Sequence, residues 1–107
     1  MKRILLDECI PRPLAQYLPD YYVRTAPQMG WASIANGALL KLAEVEFEVF
    51  ITVDKGFRYE QSLRSTALGL VVLRVSSNRL EDLLPLVPDL VTALTTIKVG
   101  DMVQLVG

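Results

Sequence analysis

Asp7 and Asp54 each stand directly after a short apolar run: Ile4-Leu5-Leu6 leads into Asp7-Glu8, and Val49-Phe50-Ile51-Thr52-Val53 leads into Asp54. Two carboxylates brought together suit a hard divalent cation, which takes oxygen ligands. What the chain lacks narrows the remaining chemistry. It contains no histidine, which removes Ser-His and Cys-His nucleophilic pairs, imidazole acid-base work and every histidine-containing metal motif. The single Cys9 cannot close an internal disulfide and falls short of a zinc or cluster site. It reads as a small buried side chain behind Asp7 and Glu8.

The elements that must position these acids follow from the same runs. Bulky apolar residues at consecutive positions, then a charge, mark a strand buried on both faces of a parallel sheet where it surfaces at its carboxyl end. Ligands of open α/β sheets bind at that edge. The pattern predicts strands over 3–7, 21–25, 49–53 and 70–73, the last ending at Arg74. It predicts helices over 11–18 and 35–46, a short one around 60–65, and one starting near Arg79 that Pro85 and Pro88 break into pieces before Ala93. Ser76, Ser77 and Asn78 are its cap candidates. Residues 96–99 and 102–106 flank Gly100-Asp101 and read as a terminal hairpin. Alternating strands and helices predict a single domain over 1–107, a three-layer α/β/α sandwich with a mostly parallel sheet of four to five strands. The first and third strands are then neighbours, and Asp7 and Asp54 converge.

Asp7 and Glu8 are consecutive and on a regular strand point to opposite faces. Asp7 is taken as the inward carboxylate, with Glu8 an outer ligand or a charge at a helix N-terminus. Lys55 and Gly56 place a cation and a tight turn after Asp54. Lys55, Arg58 and Arg74 are candidate phosphate contacts, and seven of the eleven basic residues are arginine, the side chain suited to bidentate phosphate binding. Asn36 is either a plain helix cap or an amide that orients water beside the acids. Phe57 reads as a core plug. Leu39, Leu40, Leu42, Ala43 and Phe47 form the apolar stripe of the second helix, with Glu44, Glu46 and Glu48 as its solvated face. Met29, Trp31, Phe47 and Tyr59 line either a core or an interface.

The 107 residues carry a formal net charge of −1 and are 51% hydrophobic. That composition fits a folded domain and argues against coating nucleic acid by bulk charge. No stretch reaches the ~20 apolar residues of a membrane span, and the apolar run after Met1-Lys2-Arg3 is too short for a signal peptide. A soluble cytoplasmic protein is the expectation.

Four blocks carry a resemblance: Ile-Leu-Leu-Asp-Glu-Cys-Ile-Pro at 4–11, Asn-Gly-Ala-Leu-Leu-Lys-Leu-Ala at 36–43, Phe-Ile-Thr-Val-Asp-Lys-Gly-Phe at 50–57 and Val-Val-Leu-Arg at 71–74. In this order they resemble the small bacterial PIN-like domains, relatives of the VapC-type toxin nucleases. The resemblance implies a metal-dependent ribonuclease whose clustered acids hold Mg²⁺ or Mn²⁺, and an antitoxin protein as partner. It maps Asp7 and Asp54 onto the family's acids at two strand ends, Glu8 onto the acid beside the first, and Arg74 onto a basic residue after the fourth strand. Family members commonly carry acids where this chain has Asn36 and Gly56, and Asn where it has Cys9. Two fewer carboxylates imply one ion here and make a two-metal mechanism doubtful.

Three functions compete. The first is this ribonuclease, with Asp7 and Asp54 on the metal, Glu8 or Asn36 placing water, and Lys55, Arg58 and Arg74 on the RNA. The second is a catalytically degenerate module that binds an antitoxin protein or RNA without cutting, with the terminal hairpin or the Tyr21-Tyr22 strand pairing with the partner; a homo-oligomer is a separate expectation. The third is a phosphoacceptor receiver domain, with Asp7-Glu8, Asp54 and Lys98 in its three signature places.

Overall fold

The computed structural model describes residues 2–53 and 66–107. Five strands, β1 (Arg3–Leu6), β2 (Tyr22–Thr25), β3 (Val49–Val53), β4 (Gly69–Arg74) and β5 (Met102–Val106), form one sheet in the order β2-β1-β3-β4-β5. Every pairing is parallel. Crossovers run in both directions from β1, which makes the crevice between the carboxyl ends of β1 and β3 the switch point of a doubly wound sheet. The predicted adjacency of the first and third strands is therefore observed.

Two apolar clusters explain the layers. On one face Ile4, Leu6, Ile51, Val53, Val71 and Leu73 pack against Leu14 and Leu18 of a 3-10 segment (Arg12–Tyr17) and against the helices that follow β4. On the other, Leu5, Phe50, Leu70 and Val72 pack against Leu39, Leu40, Ala43 and Phe47 of helix α1 (Asn36–Glu46). All five residues of β3 are buried, as expected for a strand sandwiched between layers. At about 1.5–3 kcal/mol per large apolar side chain removed from water, these faces supply the main drive for the fold.

Residues 11–18 wind as a 3-10 segment, not an α-helix. Pro11 and Pro13 cannot donate α-helical bonds, and i to i+3 bonds take over, from Leu14 N to Pro11 O (3.0 Å) and from Leu18 N to Ala15 O (3.1 Å). After β4 come α2 (Leu80–Leu83), a 3-10 turn (Leu84–Leu86) and α3 (Val87–Thr96), with the breaks at Pro85 and Pro88 as predicted. The cap positions are Arg79 and, for α1, Ala35, not Ser76 to Asn78 or Asn36. Leu42 is 40% exposed and does not belong to the buried stripe of α1.

The terminal hairpin is not formed. Leu90, Leu94 and Ile97 are all buried, so the helical period runs through Thr95 and Thr96 and overrides their strand preference. A turn then closes from Asp101 N to Lys98 O (3.0 Å), with Gly100 at φ 90°, and β5 enters parallel to β4. Lys98 thus precedes β5, at the opposite edge of the sheet from Asp7. That separates the members of the receiver-like trio and removes its basis. Asp54, Lys55, Arg58, Gly56, Phe57, Tyr59 and the predicted helix at 60–65 lie outside the described residues.

Candidate functional site

Asp7 is the first residue beyond β1, and its backbone still belongs to the ladder: Asp7 N donates to Ile51 O at 2.9 Å. The chain then turns sharply, with Ile10 N donating back to Asp7 O at 2.9 Å. That geometry drops the Asp7 side chain into the switch-point crevice, where it is only 2% exposed.

Three donors hold the carboxylate. Glu8 N donates to Oδ1 at 2.8 Å, and Thr52 Oγ1 donates to Oδ2 at 2.7 Å. The Cys9 thiol lies 3.6 Å from Oδ2 and donates a weaker bond. All three donors are neutral, and no cation among the described residues lies within ion-pair distance of Asp7. Burying a carboxylate without a counter-charge is costly, and each of its oxygens retains acceptor capacity. This is a centre with room for positive charge.

Thr52 was not singled out by sequence reasoning, yet it fixes the acid. It is the single polar residue in the otherwise apolar β3 run, fully buried, and a buried hydroxyl needs a partner. Cys9, read from the sequence as buried, is half-buried, and it touches both Asp7 and Thr52 (3.9 Å). Asn78 was read as a helix cap. Its Nδ2 instead donates to Cys9 O at 2.8 Å and braces the loop after β1 against the loop after β4.

Glu8 diverges from Asp7. Its carboxylate turns to Ser33 N (3.2 and 3.3 Å), a residue at φ 67° in the loop before α1. Glu8 thereby tethers that loop. Asn36 opens α1 as its first residue. Arg74 ends β4 on the same edge as Asp7, two strands away, about 10 Å by strand spacing. Its guanidinium is exposed and donates to Gln104 Oε1 at 3.3 Å. Arg79 is occupied by Glu81 (3.2 Å) and Asp82 (3.4 Å). Met29, Trp31 and Phe47 belong to the α1-side core, with Trp31 edge-on to Phe47 at 6.2 Å.

No family model, curated relative or solved structure matches the chain. The site must therefore be judged on its own chemistry. Its donors are oxygen, which suits a hard cation. Among the described residues no three acids, cysteines or histidines cluster, and the second predicted ligand, Asp54, lies outside the described residues. No described helix is long and apolar enough to cross a membrane.

Proposed function

We propose that this domain is a metal-dependent phosphodiesterase acting on RNA, with Asp7 and Asp54 as ligands of one Mg²⁺ or Mn²⁺. The observation that carries the reading is Asp7 itself: a carboxylate buried at the switch point, fixed by neutral donors and lacking a cation among the described residues. A divalent ion bound there would supply charge for phosphate oxygens and acidify a water. The protein's own part is positional. Thr52 and Glu8 N–H lock the carboxylate in one orientation, so no side-chain freedom is lost when a cation or substrate arrives. Asn78 and the Glu8–Ser33 tether hold the flanking loops. Arg74, on the same edge, is the described cation that would meet a phosphate.

The test is cleavage of a fluorescent single-stranded RNA with Mn²⁺ or EDTA present. Wild type is expected to cut only with metal, and Asp7→Asn to lose at least a hundredfold in rate. Equal cleavage by the variant would discard the assignment.

The non-cleaving reading, in which an antitoxin or a second copy adds a strand, is favoured by one feature. Edge strand β5 has neither charge nor proline in Met102–Val106, and Val106 is 70% exposed. Edges of this kind accept added strands. A soluble RNA-free dimer broken by Gln104→Pro, in a protein indifferent to Asp7→Asn, would favour it.

A further inference from the structure

The opposite edge of the sheet carries a second feature. An open pocket of about 490 Å³ lies between the 3-10 segment and β2, lined by Arg12, Pro13, Gln16, Val23, Arg24 and Gln28, among others. Arg12 and Arg24 both line it, with no acid in the lining among the described residues. Neither arginine makes an ion pair among the described residues.

Arg24 is preorganised. Its guanidinium carbon lies 4.2 Å from the centre of the Tyr22 ring, and its Nη1 donates to Val23 O at 2.9 Å. Stacking leaves the remaining N–H groups of the fork available. The backbone contributes too. Tyr22 N and Ala26 N donate to β1 at Lys2 O and Leu6 O (both 2.9 Å), and in a parallel ladder this parity turns the peptide groups of Val23 and Thr25 to the free edge. Three of those outward groups differ in outcome. Val23 O is taken by Arg24, Thr25 N by Gln28 Oε1 (2.8 Å), and the Val23 N–H is left pointing outward from a residue that lines the pocket.

From these observations we infer that the Arg12–Arg24 pocket is a phosphate site, and that its phosphate belongs to a single-stranded RNA lying across the edge of the sheet toward Asp7. Two arginine forks, an outward backbone N–H and the Gln16 amide are the donors an oxyanion needs. The same capping occupies two of the outward groups of the β2 edge and so disfavours an added strand there. The location supports the RNA assignment. Arg24 lies opposite Leu5 in the register, two residues before Asp7, and Arg12 opens the first element after the Asp7 loop. The phosphate site stands independently of the function proposed above, while its assignment to an RNA substrate rests on that reading.

The experiment is binding in EDTA, so that metal at Asp7 plays no part. Fluorescence anisotropy with a short labelled single-stranded RNA and calorimetry with pyrophosphate are run on wild type, Arg12→Glu and Arg24→Gln. Thermal midpoints check folding, and Arg12, exposed and with no ion pair among the described residues, is the position whose variant is expected to fold normally. The expected result is binding of both probes by wild type, weakened about tenfold or more in each variant, with the salt dependence of RNA binding reduced by about one contact. Pyrophosphate binding lost in Arg12→Glu while RNA binding persists would overturn the RNA assignment and leave a small phosphate ester as the ligand. Binding of neither probe by wild type, or both retained in Arg12→Glu, would overturn the site. Cleavage assays on the same samples separate this from the Asp7 assignment: lost RNA binding in Arg12→Glu with an Asp7→Asn protein that still cuts would sink the catalytic reading alone.

Discussion

Asp7 and Asp82 use the same device, a hydroxyl donated to a carboxylate, and reach opposite ends. Asp82 accepts from the Ser77 hydroxyl and also from Arg79 (3.4 Å), on the surface at the start of α2. Asp7 accepts from Thr52, Glu8 N–H and the Cys9 thiol, inside the crevice, with no cation beside it among the described residues. The first is a completed local network. The Ser77 bond, with Arg79 beside it, holds the Asp82 carboxyl below its ordinary value of 3.8. The second is a fixed carboxylate that no cation among the described residues neutralises, and a bound cation would supply that charge.

The largest contrast should come from neutralising each acid. Asp7→Asn should lose metal binding and RNA cleavage, at least a hundredfold in rate, while in EDTA it should raise the thermal midpoint by a few degrees because an uncompensated buried charge is gone. Asp82→Asn should leave both metal binding and cleavage as in wild type. A fall in midpoint for Asp7→Asn in EDTA would mean the acid is a structural anchor, and the contrast would collapse.

Thr52→Val probes the hydroxyl alone. Removing one donor from a buried carboxylate is expected to cost about 1–3 kcal/mol, measured by chemical denaturation, and to weaken metal binding by loosening Asp7. Unchanged stability would show that the Thr52 bond is incidental. Asn78→Ala should cost less, about 0.5–1.5 kcal/mol, and lower cleavage by freeing the loop that carries Cys9. A rate equal to wild type would remove Asn78 from the account.

The smallest effect belongs to the surface network. Because the folded Asp82 value lies below the unfolded one, its stabilisation is complete above about 3.8 and is lost as pH falls through the lower folded value. Ser77→Ala should move the Asp82 titration upward, followed by carboxyl carbon NMR. A titration that stays in place would assign the shift to Arg79 instead of Ser77.

Much of the fold was legible because strands β1, β3 and β4 are continuous apolar runs whose only sensible home is between two layers. The switch point followed from the alternation of strand and helix. The last segment misled because Thr95, Thr96 and Val99 favour strands, whereas the spacing of Leu90, Leu94 and Ile97 on the sheet decided the matter. At the site, Asp7 could be read from its place after Leu6. The separate fate of Glu8 could not, since it depends on where the loop at Ser33 passes. Thr52 was visible in principle, as the lone hydroxyl of a buried strand. The Arg12–Arg24 pocket had no sequence signal, because it joins residues from two elements through the parity of an edge ladder.

The most direct measurement is calorimetric titration of Mn²⁺ and Mg²⁺ into wild type, Asp7→Asn and Asp54→Asn. Wild type is expected to bind one ion and each variant none. Absence of binding at millimolar metal in wild type, or binding that survives both substitutions, would contradict that expectation.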